Sequence, residues 1–239
     1  MMMPDPVLPT GHVPLDDVRS RIARAAALAG RDPAAVELIA ISKTQPVGAM
    51  APLLDAGQRS FGENRVQEAA AKWPGLRAKH GDLRLHLVGQ LQSNKAEEAV
   101  RLFDAIHSVD RPSLVEALAR AAEKTGRRPD CFVQVNIGEE PQKGGCAIGD
   151  LPGLLRLAGD AGLPLAGLMC VPPTETEAAP YFALLVKLAR DHGLSGLSMG
   201  MSGDYETAVM LGATHVRVGT ALFGARSPGQ EVTPPSSPT

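Results

Sequence analysis

The sequence predicts a single-domain (β/α)8 barrel, of the TIM-barrel class, with an extra helix at its N-terminal end. The chain has 239 residues, close to the roughly 250 that one such barrel commonly takes. Eight short apolar runs alternate with segments of helical spacing, and eight strands close this barrel. An open, doubly wound sheet is the rival fold. No glycine-rich dinucleotide fingerprint follows the first apolar run, which weakens that rival.

The eight apolar runs are the predicted strands of a parallel sheet. Several of them are continuously apolar, which is typical of strands that are buried on both faces. In chain order the runs cover residues 36–42, 59–62, 83–89, 105–109, 131–137, 165–171, 196–201 and 215–220.

Between the runs, apolar residues recur at the spacing of one helix face. The extra N-terminal helix is predicted by Leu15, Val18, Ile22 and Ala26. Two later stripes are Leu114, Leu118 and Ala122, and then Tyr181, Leu184, Leu185 and Leu188. We expect the barrel to span residues 15–226, between a flexible segment at 1–14 and a disordered Pro/Ser-rich tail at 227–239.

Composition argues against several classes of function. The net charge is −2 and no block is rich in Lys or Arg, so a nucleic-acid backbone is not an expected ligand. No stretch reaches the ~20 apolar residues of a membrane span, and no signal peptide is seen. Cys131, Cys146 and Cys170 form no CxxC pair, so we expect free thiols in a cytoplasmic protein.

Lys43 directly follows the first predicted strand, at the end of the barrel where active sites form. Partial removal from water favours the neutral amine, which is a nucleophile toward carbonyls. The alternative interpretation is a lysine whose stem packs on the barrel while its ammonium reaches water.

Two loops near the end of the chain predict a phosphate site. SMGMSGD (198–204) and VRVGTALFGAR (216–226) each place small residues between a strand and a helix. Backbone N–H groups at such positions bind anions, and phosphate sites after strands 7 and 8 recur in this fold. Ser202 and Thr220 offer hydroxyls, while Gly200 and Gly219 permit close backbone approach. Ordinary helix capping and turn formation are the alternative.

An amine that faces a phosphate site suits a phosphorylated aldehyde. Pyridoxal 5′-phosphate fits this description, and so does a sugar phosphate in a Schiff-base aldolase. His86 and His107 suggest a metal pair at first sight, but no third ligand has a useful spacing, so satisfied or exposed histidines are the favoured interpretation.

Eight successive motifs resemble the pyridoxal phosphate homeostasis protein family, whose fold is similar to the N-terminal barrel of alanine racemase. The resemblance covers about residues 15–226 in unbroken order. The motifs are AISKTQ (40–45), FGENRVQE (61–68), LHLVGQLQSNK (85–95), IHSVDR (106–111), QVNIGEEPQKGG (134–145), GLMCVPP (167–173), LSMGMSGD (197–204) and HVRVGTALFGAR (215–226).

The resemblance implies a set of residues that bind pyridoxal phosphate. Lys43 matches the Schiff-base lysine, and Arg217 matches the arginine that approaches the pyridine ring. Ser202, Gly219 and Thr220 match the phosphate contacts, with Ser198, Gly200 and Met201 in the supporting loop. Asn64 lies in the motif that lines the cofactor, and the role of the 92–95 segment is left open.

The same resemblance implies a carrier rather than an enzyme. A cationic arginine can only donate to the pyridine nitrogen, which leaves the ring a poor electron sink. Racemisation also needs a second acid or base, and neither Tyr181 nor Tyr205 matches the racemase tyrosine. We expect no second domain over the site, a monomer, and recipient enzymes that depend on pyridoxal phosphate. An amino-acid racemase and a Schiff-base aldolase are the alternatives.

Overall fold

The computed structural model describes residues 12–224 of the chain, and these form a closed barrel of eight parallel strands. Each strand pairs with its neighbours in sequence, and β8 pairs with β1 to close the barrel. The strands are β1 (Glu37–Ile41), β2 (Ser60–Glu63), β3 (Arg84–Leu87), β4 (Ala105–Val109), β5 (Asp130–Gln134), β6 (Leu165–Met169), β7 (Gly196–Ser198) and β8 (His215–Val218). The predicted (β/α)8 barrel is therefore confirmed.

Helices surround the barrel and cover its outer face. Within the described residues they are α1 (Val13–Leu28), α2 (Ala51–Asp55), α3 (Val66–Arg77), α4 (Ala96–Leu102), α5 (Pro112–Thr125), α6 (Leu151–Asp160), α7 (Ala179–Asp191), α8 (Tyr205–Met210) and α9 (Thr220–Phe223). The extra N-terminal helix is confirmed as α1, which begins two residues before the position where the sequence places the start of the barrel.

All eight predicted runs overlap a strand, but most strands end one to three residues earlier than the run does. The run at 196–201 is an example, since β7 ends at Ser198. Gly200 has a φ of +93°, a left-handed conformation that takes the backbone out of the strand. The ends of the apolar runs thus become the loops that carry the site.

The hydrophobic core lies between the outer face of the barrel and the helices. Trp73 of α3, Phe103 after α4 and Phe182 of α7 are fully buried there. The predicted stripe of α1 is buried in full, and so is that of α5. In α7 only Leu185 of the predicted stripe is buried, while the other three residues are half-buried against the core.

The inside of the barrel is unusually polar. Branched apolar side chains commonly fill this space, yet here His86, His107, Ser198 and Arg217 are buried inside it. His107 also stacks on Phe132, with ring centroids 4.3 Å apart. In residues 12–224, no three His, Cys, Asp or Glu side chains are grouped to hold a metal ion. The two histidines instead contact each other, with Nδ1 of His86 3.0 Å from Nε2 of His107.

Cys131, Cys146 and Cys170 are free and buried, as the sequence predicts. Burial raises the pKa of each thiol to about 12, so all three stay protonated and inert at neutral pH. None of the helices in residues 12–224 is long and apolar enough to cross a lipid bilayer. Residues 1–11 and 225–239, which hold most of the two segments predicted to be flexible or disordered, lie outside the described residues.

Candidate cofactor-binding site

A cavity of about 420 Å³ opens at the C-terminal end of the barrel strands. Seven of the nine predicted site residues line it: Lys43, Asn64, Met201, Ser202, Arg217, Gly219 and Thr220. Two other cavities have nearly the same volume, one beside this one and one near the N-terminal end of the barrel. Neither contains Lys43 or Arg217, so the candidate site is the cavity that gathers the predicted residues.

Lys43 lies one residue beyond a buried serine at the end of β1 and is half-buried. The next residue, Thr44, has a φ of +62°, which is uncommon for a non-glycine residue and needs support from its surroundings. The Gln45 N–H closes this turn by donating to the carbonyl of Ser42 over 3.1 Å, and two further bonds hold it. The Thr44 hydroxyl donates to the carbonyl of Lys43 over 2.6 Å, and the Thr44 N–H donates to Glu68 of α3.

A buried ion-pair cluster lies under the Lys43 turn. Lys72 of α3 donates to Oε1 of Glu63 and to the carbonyl of Ser42, both over 2.8 Å, and to Glu68 over 3.2 Å. The indole N–H of Trp73 also donates to Glu63, over 2.9 Å. This cluster was not predicted from the sequence, where its one signal is the four-residue spacing of Glu68 and Lys72 on one helix face.

The loops after β7 and β8 come together on the other side of the cavity. The Gly219 N–H donates to the Ser202 hydroxyl over 3.3 Å, and the Met201 N–H donates to Asp204 over 2.6 Å. Thr220 begins α9, and the first N–H groups of a helix have no acceptor within it. Since α9 has four residues, any affinity of these loops for an anion depends on their hydroxyls and backbone N–H groups more than on a helix dipole.

Gly200 and Ser198 do not line the cavity; they support it from behind. A Cβ on Gly200 would lie 2.6 Å from the Cβ of Ala208 and 2.9 Å from the Cα of Tyr205. Only glycine therefore permits this loop to pack on α8. Ser198 is fully buried, and its hydroxyl contacts both Arg217 and His107 at 2.8 Å.

Arg217 is a buried cation that reaches the cavity wall. It is 5% exposed, and it donates to the Ser198 hydroxyl over 2.8 Å and to the carbonyl of Cys170 over 2.9 Å. Burial lowers the pKa of its guanidinium, which nonetheless remains a donor at neutral pH. Within residues 12–224 it forms no ion pair with a carboxylate. Its charge is thus available to a ligand.

The apolar part of the cavity wall was not identified from the sequence. It consists of Ile41, Val88 and Val171, which are the residues at or just beyond the ends of three strands. The segment 92–95, whose role the sequence left open, forms a single helical turn at Ser93–Lys95 and does not line the cavity. These residues could have been found from the sequence as the apolar residues at the ends of the predicted strands.

Known proteins resemble this chain over nearly its whole length. The family model for the alanine racemase N-terminal domain matches residues 13–227. The pyridoxal phosphate homeostasis protein of Pseudomonas aeruginosa is 46% identical over 221 residues, which cover 89% of this chain and 94% of that protein. Its namesake from Escherichia coli is 38% identical over 233 residues, with coverages of 89% and 95%.

A solved structure supports the same relationship. PipY of Synechococcus elongatus, with PLP bound, superimposes with a TM-score of 0.76 at 42% identity. The match covers 85% of this chain and all of that one. The family model, the curated relatives and the solved structure all agree with the resemblance that the eight motifs carry. This chain therefore belongs to the pyridoxal phosphate homeostasis protein family, whose barrel is that of the alanine racemase N-terminal domain.

Proposed function

We propose that this protein binds pyridoxal 5′-phosphate in the 420 Å³ cavity and serves intracellular homeostasis of that cofactor by taking it up, holding it and delivering it. The observation that carries the proposal is the content of the cavity. Three kinds of group line this one space. They are a primary amine, a cluster of hydroxyls and glycines, and a buried cation that pairs with no carboxylate among the described residues. These three groups match the aldehyde, the phosphate and the pyridine nitrogen of the cofactor.

Lys43 is the residue that we propose as the covalent anchor. Its amine would condense with the cofactor aldehyde to a Schiff base, with release of one water molecule. When bound, the cofactor supplies an electrophilic imine carbon and a conjugated ring. The role of the protein is to present the amine from a turn held by Thr44 and Glu68.

The phosphate is proposed to lie at Ser202, Gly219 and Thr220, where hydroxyl and backbone N–H donors converge. Met201 belongs to the same wall, and Ser198 and Gly200 keep this side of the cavity in shape from behind. Asn64 also lines the cavity, and its side-chain amide is proposed to contact the ring. Relatives that carry the name of this family, and PipY with its bound PLP, support the binding of pyridoxal phosphate.

Turnover is disfavoured by the small number of titratable groups at the site. Among the described residues that line the cavity, only Lys43 and Arg217 have titratable side chains. Proton exchange on two faces of a substrate carbon needs two groups that can both give and take a proton near neutral pH. Arg217 stays protonated, and neither Tyr181 nor Tyr205 lines the cavity. Lys43 is left without an opposing partner.

Arg217 also argues against strong activation of the ring. An arginine can only donate a hydrogen bond, so a pyridine nitrogen beside it stays unprotonated. An unprotonated ring withdraws electrons weakly, whereas enzymes that need a strong electron sink place a carboxylate there. The arrangement favours holding the cofactor over carbanion chemistry.

The proposal extends to the cellular setting. We propose a monomer in the cytoplasm that delivers its cofactor to recipient enzymes dependent on pyridoxal phosphate. Three buried free thiols fit a reducing compartment. Light scattering coupled to gel filtration measures the oligomeric state, and a stable dimer would contradict the monomer.

The test of function is a transfer assay beside a turnover assay. The protein is loaded with pyridoxal phosphate and mixed with an apoenzyme that requires it, and recovered activity of that enzyme reports delivery. The same preparation is assayed for exchange of amino-acid α-protons. We expect delivery, with exchange far below ~1 s⁻¹, a low rate for an ordinary enzyme. Exchange above that rate would contradict the carrier and favour the racemase, and a protein that takes up no pyridoxal phosphate would favour the aldolase.

A further inference from the structure

A row of buried polar side chains runs through the barrel from the cavity to its opposite end. Arg217 donates to the Ser198 hydroxyl over 2.8 Å, and that hydroxyl contacts Nδ1 of His107 at 2.8 Å. Nε2 of His107 lies 3.0 Å from Nδ1 of His86, and Nε2 of His86 lies 3.2 Å from Oε1 of Glu37. We call these five residues the barrel-interior network.

The two ends of the network lie at opposite ends of the barrel. Arg217 lines the candidate site. Glu37 is the first residue of β1 and its side chain is 24% exposed, beside a separate cavity that Arg19, Gln58 and Ser60 also line. The three residues between the ends are fully buried. A cation on the cavity wall is thus connected through three neutral groups to an anion near the far surface.

The negative charge at the Glu37 end favours one direction of hydrogen bonding along this network. Nε2 of His86 makes no well-aligned hydrogen bond, but the Glu37 carboxylate 3.2 Å away repels a nitrogen lone pair and attracts an N–H, so Nε2 carries the proton that faces Glu37. In a neutral imidazole the other nitrogen is then an acceptor, and His107 donates to it from Nε2. By the same rule Nδ1 of His107 accepts from the Ser198 hydroxyl. The serine oxygen is left with its lone pairs toward Arg217.

The electrostatic surroundings agree with two neutral histidines. Burial, followed by the charge of neighbouring groups, holds the pKa of His107 well below its usual value. Burial also lowers the pKa of His86, although Glu37 acts in the opposite direction. Burial alone would raise the pKa of Glu37, but its contacts with His215 and His86, each 3.2 Å long, bring that pKa below the ordinary range. Glu37 is therefore ionised and both imidazoles are uncharged at neutral pH.

We propose that Ser198, His107, His86 and Glu37 are positioning residues that fix the guanidinium of Arg217 for its contact with the pyridine nitrogen. Glu37 sets the tautomer of both histidines, and the oriented serine oxygen then holds one guanidinium nitrogen. A second nitrogen is held by the carbonyl of Cys170, which leaves the remaining N–H groups for the ligand. This inference rests on the proposed binding of pyridoxal phosphate.

Glu37→Gln in the full-length, cofactor-loaded protein tests the proposal at a residue outside the cavity. The substitution keeps the shape of the side chain and removes its charge. The pyridine nitrogen is followed by 15N NMR of labelled cofactor, together with the absorbance maximum of the bound form. We expect the 15N resonance to move toward that of a pyridine nitrogen that accepts no hydrogen bond, because Arg217 is held less firmly.

Asp130→Asn is the matched control. Asp130 is likewise the first residue of a strand at this end of the barrel, and it pairs with Arg84 outside the network. We expect no change of either signal in this variant. Equal signals in Glu37→Gln and in the wild type would overturn the proposal, and so would an equal shift in both variants.

The tautomers can also be read in the unmodified protein, so the proposal does not depend on the folding of a variant. In 15N-histidine-labelled protein, long-range 1H–15N spectra distinguish the two neutral tautomers from the cation. We expect His86 and His107 both to be neutral with the proton on Nε2. The opposite tautomer or a cation at either residue would refute the network. Wild-type protein that binds no cofactor would refute the proposed function instead, while this spectrum still decides the tautomers.

Discussion

At the scale of single residues, the position of Lys43 depends on a turn that the sequence does not announce. The sequence predicts a lysine after the first strand, and there the residue lies, half-buried on the cavity wall. The sequence does not reveal the left-handed Thr44 or its bond to Glu68, which is 24 residues further along the chain. The side chain of Lys43 itself makes none of these contacts. A substitution at this residue should therefore affect binding of the cofactor without affecting the stability of the fold.

Lys43→Ala should remove the imine absorbance band and leave the fold intact. We expect the free energy of unfolding to change by no more than about 0.5 kcal/mol, as for other substitutions away from buried contacts. Absorbance spectra and urea unfolding measure the two effects. Lys43→Arg keeps the positive charge but cannot form an imine, and it should lose the band equally. An unfolded Lys43→Ala protein would show that the lysine is structural.

Gly200 and Gly203 differ in what a side chain would meet, although they lie in the same loop. Gly200→Ala forces a left-handed alanine against Ala208 and Tyr205, and we expect a cost of about 1–3 kcal/mol. A Cβ on Gly203 meets nothing within 4 Å, so Gly203→Ala is the control and should leave stability nearly unchanged. Thermal unfolding compares them, and equal melting temperatures would contradict the packing of this loop on α8.

At the scale of secondary-structure elements, α3 and the ends of β1 and β2 form one unit beneath the site. Glu63 is fully buried and Lys72 is 9% exposed, and the second carboxylate oxygen of Glu63 has no partner among the described residues. A buried pair of this kind contributes little over an apolar pair, but the loss of one partner leaves an uncompensated charge. The unit thus keeps the Lys43 turn attached to α3.

Lys72→Met should destabilise the protein by about 3–5 kcal/mol, because the Glu63 carboxylate would lose its buried counter-charge. Lys187→Met is the matched control, since Lys187 also lies on a helix and pairs with Asp191 in an exposed position. We expect little change there. Adding Glu63→Gln to Lys72→Met should restore part of the stability. Urea unfolding measures the free energy of unfolding of each variant. An equal loss of stability in Lys72→Met and in Lys187→Met would contradict the buried ion-pair cluster.

At the scale of the whole molecule, neutral histidines inside the barrel link stability to pH. Burial lowers the pKa of His86 and His107 in the folded protein, whereas an unfolded chain binds protons at histidine near pH ~6.5. Between these values the unfolded state holds more protons, so the free energy of unfolding decreases as the pH falls below ~6.5. The lowered pKa of Glu37 adds a further loss only below its unfolded value of about 4.3.

We therefore predict a loss of up to about 1.4 kcal/mol per pH unit for each buried histidine as the pH falls below ~6.5. His107→Gln should reduce the slope of the free energy of unfolding against pH by up to the contribution of one bound proton. His192→Gln, at an exposed position, should leave this slope unchanged. Urea unfolding at a series of pH values provides the slopes. The same slope in His107→Gln as in the wild type would contradict a neutral His107 in the folded protein.

The barrel and most of the site wall could be predicted from the sequence because their signals are local. Apolar runs mark strands, glycine and serine mark the two loops, and family motifs select Lys43 and Arg217. The barrel-interior network could not be predicted, because His86, His107, Ser198 and Glu37 come from four different strands and meet only when the barrel closes. In the sequence, His86 and His107 are two histidines without a visible partner.

The covalent anchor of pyridoxal phosphate on Lys43 can be tested by borohydride reduction followed by peptide mass mapping. The purified protein is incubated with the cofactor, reduced and digested, and the modified peptide is sequenced by mass spectrometry. We predict an absorbance band of an imine that reduction removes, with the added mass on Lys43 alone. A reduced adduct on another lysine, or no adduct at all, would contradict the assignment of Lys43.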